Sequence, residues 1–558
     1  MTNKQIATAF SDLAKIMELH DENPFKIRSY SSAYLTLRKV EQPLIEMSDE
    51  EITALKGVGK TIAGKIRELD QTGKMETYEK YREKTPPGVV DMLKVNGFGP
   101  KKVKVVWKEL GAESIGELLY ACNENRLVEI KGFGQKTQTE LIKKLELFLN
   151  SQHKFHYGKI APVHEVVLAH LEAQLPDHQI AVVGDMIQLN PIVEHLDYLI
   201  AGEITVEKIF NEEQLIFEKK DKHGFYGKTN EGIPVRIFNC TKKEWGSKLF
   251  RYSSSPEFIT AFLEKAKKNA KADTVDFKNI ETEKIVFEKA KLPYVLPELR
   301  YDDTALSMPL SGELIRPEDI RGVVHAHTTY SDGIHTLEQM VEEAKSLGYE
   351  YLTITDHSQA AFYANGLKPD RLLEQFAEID ALNEKQKDFK IYKGIESDIL
   401  NDGSLDYDEE ILKQFDLIIA SVHTNLKMDE TKATQRLITA IENPYTTILG
   451  HPTGRILLAR SGYPIDHAKV IDACAANGVH LELNANPLRL DIDWTWIPYA
   501  REKGVLISIN PDAHSKGGIK DIKYGALVAR KGRLTKEGCL NARTREEFEK
   551  LVKNKQQA

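Results

Sequence analysis

Cysteine is scarce: Cys122, Cys240, Cys474 and Cys539 are scattered over 558 positions. Their spacing makes neither a disulfide framework nor a thiolate zinc site, and it places the chain in a reducing cytoplasm. Long apolar runs and low-complexity tracts are also lacking, so no membrane span is expected. The opening MTNKQIATAFSDLAKIMELH has no basic-then-apolar leader and reads as an amphipathic helix. Positive charge is not in excess, because 76 Lys and Arg face 84 Asp and Glu for a net −8. A protein that coats nucleic acid indiscriminately is thereby excluded, since phosphate neutralisation supplies most non-specific affinity. Residues 1–150 carry 24 basic against 22 acidic side chains, so the acidity lies downstream and any DNA contact must come from local arrangements. What is present, 41% hydrophobic and 29% charged residues, is the balance of a folded protein, and this length implies roughly three to five domains.

Within residues 1–150 one pattern occurs three times: LKGVGKTIAGKI from Leu55, VNGFGPKKVKVV from Val95 and IKGFGQKTQTEL from Ile130. Each sets Gly-x-Gly between an apolar residue and a helix-forming stretch. The glycine pairs, Gly57 and Gly59, Gly97 and Gly99, Gly132 and Gly134, permit a tight turn. The helix that follows offers free N–H groups and a positive dipole end to a phosphate. Lys101, Lys102 and Lys104 add charge there. A single Gly-x-Gly is usually only a turn between helices, whereas three at similar spacing read as helix-hairpin-helix motifs that contact DNA backbone.

From about Tyr157 to Cys240 strand patterns such as HQIAVVG, DYLIAG, QLIFEKK and IPVRIFN predict a mixed α/β unit. A helix is expected around Pro256 to Ala270, followed by a proline-containing linker. Residues 321–558 alternate short apolar strands with amphipathic helices: RGVVHAH, YEYLTITDH, FKIYKGIES, FDLIIASVH, TTILGHP, GVHLELNAN and GVLISINPDAH. Seven such units predict a parallel, closed or nearly closed barrel.

At or just after the ends of these strands stand His325, His327, His357, Glu396, His423, His451, Asp512 and His514, with Asp332 in the SDG loop after His327. One such histidine is more often a packed core residue, but six of seven strands ending this way is not a packing pattern. Strand ends of a β/α barrel converge on one face, and nine nitrogen and carboxylate donors without thiolate suit two or three divalent ions such as Mn²⁺, Zn²⁺ or Fe²⁺. Adjacent ions can polarise a phosphoryl group, activate water and stabilise the departing oxyanion, so phosphoester hydrolysis is the expected chemistry. Asp356 is expected to orient a neighbouring imidazole. Arg455 and Arg489 lie on the same loops and are read either as ligands for phosphate oxygens or as ordinary salt-bridge partners.

With NPFKIRSY from Asn23, the three hairpins, YVLPELR, EDIRGVVHAHTTYSDG, TDHS, GIESDI, GHPTGR, ELNANPLRLD and NPDAHS, the chain resembles bacterial family X DNA polymerases carrying a C-terminal polymerase-and-histidinol-phosphatase (PHP) domain. The resemblance implies a multidomain α/β protein. Residues 1–83 would be an 8-kDa-like helical DNA-binding domain, 84–150 a fingers-like domain with two hairpins, and 151–240 a nucleotidyltransferase-like palm. Residues 241–292 would be a thumb-like region, 293–320 a linker and 321–558 a distorted (β/α)7 PHP barrel. The nine donors match the family's PHP ligands, while Val323 replaces a usual aspartate that is not a ligand. The family implies Mn²⁺-dependent 3′-to-5′ exonuclease activity in DNA repair, with abasic-site endonuclease and 3′-phosphatase activities in some members.

The polymerase motifs match poorly. Aligned on Gly184, Asp185 stands where the family has serine, and Ile187 and Gln188 stand where it has arginines. His195 and Asp197 fill the Asp-x-Asp pair, and Arg236 takes the place of the third aspartate. Nucleotidyl transfer needs carboxylates for two Mg²⁺ ions, so loss of polymerase activity is expected. By the same resemblance Lys65 falls where a lyase lysine can form a Schiff base with an abasic sugar, although a lysine there is more often simply solvated. The expected partner is DNA at 3′ ends, gaps or abasic sites. The alternatives are a gap-filling polymerase, a small-molecule phosphatase and a non-catalytic DNA-end scaffold.

Overall fold

The computed structural model describes residues 1–95, 97–150, 154–211, 214–271, 274–308, 310 and 312–557. The chain forms two compact units, Met1–Phe148 and Leu149–Ala558. No helix among the described residues is long and apolar enough to cross a membrane.

The first unit is helical. Asn3–Leu19 opens with a Thr2/Gln5 capping box and buries Ile6, Phe10, Leu13 and Met17, the spacing of one helical face. Phe10 stacks on Tyr30 of the helix Pro24–Leu37. The three hairpins repeat one geometry. Gly57, Gly97 and Gly132 all have positive φ, at 79°, 75° and 97°, which a side chain would resist. The apolar residue between the glycines, Val58, Phe98 or Phe133, is buried, and its N–H bonds back to Leu55, Val95 or Ile130 at 3.0–3.1 Å. Asn96 of the second hairpin lies outside the described residues.

Among the described residues the second unit contains a five-stranded and a seven-stranded sheet, with a short antiparallel pairing of Phe155–His156 and Ile192–Val193 beside them. In the first, β1 (Gln179–Val183), β2 (Leu196–Ala201), β3 (Leu215–Lys220), β4 (Gly224–Thr229) and β5 (Pro234–Cys240) lie in the order β1-β2-β5-β4-β3. Only the β2–β5 pair is parallel. Strand β4, GFYGKT, has glycines in two of its six positions and was not expected from the apolar pattern. Helix Tyr157–Gln174 covers the sheet, packing Ile160, Val167 and Leu171 with Tyr198, Ile200 and Ile237. The expected helix Pro256–Ala270 is present.

Within 293–320, expected to be a linker, residues 295–300 are packed instead. Arg300 is fully buried, donates to Glu283 at 2.5 Å and to the Val295 carbonyl at 2.8 Å, and lies over the Phe287 and Tyr294 rings. Glu298 accepts from Arg530 of the barrel at 2.5 Å. Its prolines suggested an open connector, but a buried charge with partners fixes it.

The second sheet is the barrel. Strands β6 (Gly322–Val323), β7 (Tyr351–Ile354), β8 (Lys390–Asp398), β9 (Leu417–Ser421), β10 (Ile448–Leu449), β11 (His480–Asn484) and β12 (Ile507–Asn510) pair in sequence order, all parallel. The two edges approach one another. Ala326 bridges Ala513, with His327 N donating to Ala513 O and Ala513 N to His325 O. Asn541 stitches the seam below, bonding Gly322 O and Ile509 O. The result is a nearly closed barrel that sets His325, His327, Asp512 and His514 side by side.

Candidate metal centre

All nine sequence-predicted donors meet at one end of the barrel, and their side chains are buried or nearly so. Glu396, inward-facing on β8, stands at the centre. Its Oε2 lies 3.0 Å from His357 Nδ1 and 3.6 Å from Nε2 of both His325 and His327. Its Oε1 lies 3.1 Å from His423 Nε2 and 2.9 Å from His451 Nε2. Asp512 approaches His327 at 3.1 Å and His325 at 3.3 Å, and Asp332 lies 3.4 Å from both His357 and His514. Asp512 adopts φ 52°, a left-handed turn that a short polar side chain tolerates and that lets Asp512 and His514 face the same space.

Three overlapping groups could each hold an ion: His327, Asp332, His357 and His514; His325, His327, Glu396 and Asp512; and His357, Glu396 and His423. Spacings of about 3–3.5 Å are those of donors sharing an ion at about 2.0–2.2 Å. His325 Nε2 and Glu396 Oε2 are buried with no hydrogen-bond partner, as expected of atoms whose partner is a cation. The residues present therefore fit divalent metals.

The electrostatics carry the same message. Burial opposes charge on Glu396, yet His423, His357 and His325 hold it well below the carboxylate range. Burial likewise opposes ionisation of Asp332 and Asp512, but imidazoles keep both well below it. Burial also opposes protonation of His423, while Glu396 and Asp398 raise it to about 9. Burial beside His514 and His357 pushes His327 down to about 3. Buried ionised carboxylates attract protons unless a cation competes for them.

Several residues that hold the donors escaped the sequence reading. Glu482 accepts from His325 Nδ1 at 2.8 Å, Asn510 at 2.8 Å and the His451 N–H at 3.1 Å. Asp398 receives His423 Nδ1 at 2.5 Å, and Asn484 donates to Asp512 at 3.0 Å. The available signal was period two, because Glu396 and Asp398, like Glu482 and Asn484, face one side of a strand. Asp356 does not orient an imidazole. It accepts from Thr328, Ser331 and Gln375, bracing the loop that carries Asp332. Arg455 is engaged by the Asp493 carboxylate and the carbonyls of Arg489 and Leu490, and Arg489 is buried.

Residues 1–75 match the family described as helix-hairpin-helix domain, residues 89–146 the SAM-like helix-hairpin-helix tandem, and residues 324–486 the PHP domain. The chain is 32% identical to the DNA polymerase/3′-5′ exonuclease PolX of Bacillus subtilis (strain 168) over 569 residues, 99% of this chain and all of that protein. The chain belongs to the family X DNA polymerases that carry a PHP domain. Its PHP portion is also similar to probable phosphatases. One from Thermoanaerobacter sp. (strain X514) is 30% identical over 39% of this chain and 88% of its own length. Another, from Acetivibrio thermocellus (strain ATCC 27405), is 31% identical over 34% and 78%.

The positions expected to align with the polymerase motifs lie on the five-stranded sheet and the turn after its first strand. Asp197 on β2 lies opposite Arg236 on β5, and the guanidinium grips the carboxylate through Nε at 2.6 Å and a terminal nitrogen at 2.5 Å. Asp197 is buried against Gly184, where an added Cβ would fall 2.3 Å from Oδ2. Burial pushes Asp197 above its ordinary range, and Arg236 opposes that shift. His195 is pushed down by burial and by Arg236. Asp185 accepts from Asn190 at 2.7 Å and from the Glu194 N–H at 3.2 Å, bracing the turn. The Gln188 carbonyl and the Asn190 side chain receive Lys531 from the barrel at 2.8 and 3.0 Å, docking this turn on the PHP portion. Ile187 is half-buried in the same turn.

In the first unit Gly59 and Gly99 cap their helices without a side-chain hydrogen bond, and the space beside Gly59, Gly99 and Gly134 is open. Lys101 and Lys102 are exposed, whereas Lys104 pairs with Asp21. Lys65 is largely buried, donates to Thr77 at 2.5 Å and lies 3.8 Å from Glu68.

Proposed function

We propose that the nine-residue cluster hydrolyses phosphoester bonds at DNA ends as a Mn²⁺-dependent 3′-to-5′ exonuclease, extending to 3′-phosphates and abasic sites, and that template-directed synthesis is lost. The observation that carries the first part is the buried convergence of nine metal-competent donors around Glu396. When bound, divalent ions supply Lewis-acid activation of the phosphoryl group and of water, and offset charge on the leaving oxygen. The chain's own residues prepare that site. Glu482 and Asp398 fix the imidazoles of His325 and His423 through Nδ1 and leave Nε2 facing inward. Asp356 holds the Asp332 loop in place, and burial keeps bulk water from the donors.

DNA as substrate is supported by the three hairpins: the helix starts at Gly59 and Gly99 lack a side-chain cap, and these together with exposed Lys101 and Lys102 suit backbone phosphates. It is supported too by the similarity to the DNA polymerase/3′-5′ exonuclease of Bacillus subtilis. The domain limits expected from the sequence, 1–83, 84–150, 151–240, 241–292, 293–320 and 321–558, are proposed as the working division. Loss of synthesis is supported by the Arg236 clamp on Asp197, which occupies the one carboxylate remaining of three. Arg455, held by Asp493, is assigned to the loop and not to phosphate.

The probable phosphatases favour a second reading, hydrolysis of a small phosphomonoester. Incubating the full chain and Mn²⁺ with a 3′-labelled oligonucleotide, and separately with histidinol phosphate, decides between them. Release of 3′ nucleotides that disappears in His325→Ala and Glu396→Gln supports the DNA reading, and turnover of histidinol phosphate alone refutes it.

A further inference from the structure

The loop that follows β7, from His357 to Leu367, is held rigidly against the metal centre. Leu367 N donates to His357 O at 2.9 Å, and Ser358 N donates to Glu396 O at 3.0 Å. Asn365 donates to Tyr330 O at 3.2 Å, tying the loop to the one that carries Asp332. A Cβ on Gly366 would lie 1.9 Å from Ser358 O, so the loop closes tightly on itself. Ala361 and Ala364 are fully buried beneath it. On top of this braced turn Phe362 is 84% exposed, more than any other large hydrophobic side chain among the described residues. Its ring meets Tyr363 edge-on with centroids 5.9 Å apart, and Tyr363 lies 6.4 Å from the His357 imidazole.

A lone exposed apolar side chain needs no explanation. Phe362 is not alone, because other loops at the strand ends also expose apolar groups. Ile334, whose N–H bonds His514 O, is 49% exposed, and Leu458, in the loop after His451, is 37% exposed. A charge-dense centre with an apolar lip suits a ligand that joins a phosphate to a flat, weakly polar ring. Nucleotides are such ligands, and aromatic side chains hold single-stranded bases by stacking on their faces.

We propose that Phe362 is a positioning residue that stacks on the base of the 3′-terminal nucleotide and sets its phosphodiester over the metal centre. This inference rests on the DNA-end reading. Stacking is indifferent to base identity, so it requires a base but not a particular one.

The test compares two oligonucleotides that differ only at the 3′-terminal residue, which carries adenine or is abasic, with the full chain and Mn²⁺. The wild type is expected to cleave the adenine-terminated strand with a kcat/KM about tenfold higher. Phe362→Ala is expected to cleave both at the lower value, and Phe362→Trp to restore the preference, which a merely structural role would not do. The proposal is overturned if Phe362→Ala retains the tenfold preference, if it slows both substrates equally, or if the wild type cleaves both alike. Failure of the wild type to degrade either strand overturns the DNA-end reading itself, and with it this inference.

Discussion

Replacing Arg236 by leucine tests what the buried pair of Arg236 and Asp197 contributes to the five-stranded sheet. The substitution removes both donors from Asp197, which is 2% exposed, and leaves a buried carboxylate unpaired. Breaking a buried pair costs about 3–5 kcal/mol, but Arg236 keeps 35% of its side chain in solvent, which reduces the expected loss to about 2–3 kcal/mol. With about 2.1 cal/mol/K of unfolding entropy per residue over roughly 400 residues, the midpoint should fall by about 2.5–3.5 °C. Without Arg236 less opposes the burial of Asp197, with only the weaker influence of His195 left, so its folded pKa rises further above the unfolded value. The penalty is absent below the unfolded Asp pKa near about 4, grows as pH climbs toward the folded value and stays constant above it. Thermal unfolding at one scan rate, at pH 5 and pH 8, should show the larger deficit at pH 8. Asp197→Leu/Arg236→Leu should recover most of the loss. Equal midpoints for Arg236→Leu and wild type at pH 8, or a double variant as unstable as the single one, would refute a pair that holds the sheet together.

Three further outcomes are expected. Glu482→Gln places an amide where three donors now point, and Mn²⁺ affinity by titration calorimetry should fall about 10–100-fold with the far-ultraviolet dichroism unchanged. Burial lowers the Lys531 pKa to about 8, so the folded state releases a proton that the unfolded chain keeps up to about 10.4. Relative to Lys531→Met, the wild type should gain stability as pH rises from 8 toward 10, and a flat difference would contradict that burial. With its amine held by Thr77, Lys65 should give no borohydride-trapped adduct with abasic DNA; an adduct lost in Lys65→Ala would assign it a lyase role.

Local rules carried much of this in the sequence. The hairpins were legible because positive φ at Gly57, Gly97 and Gly132 leaves a Gly-x-Gly trace, and the donors because strand ends of a parallel barrel must converge. What was hidden depends on partners distant in the chain. Glu482 reads as an isolated acid until β11 is set beside β12 and opposite His325, which lies 157 positions earlier. Asp356 looked like a neighbour of His357, yet successive strand residues face opposite sides, and it serves the loop after His327. Strand β6 was expected to run through His327 but pairs only at Gly322 and Val323, because beyond them the chain crosses to Ala513 and closes the barrel. The packed connector depended on Arg300 donating to Glu283 and Arg530 donating to Glu298, pairings that no local pattern encodes.

The most direct measurement is made on an end-labelled gapped duplex with Mn²⁺, with and without deoxynucleoside triphosphates, using the wild type and His325→Ala/His327→Ala. Shortening of the labelled strand by the wild type, none by the double variant, and no lengthening by either is the predicted result. Lengthening that persists when the two histidines are gone would contradict the assignment of catalysis to the metal centre alone.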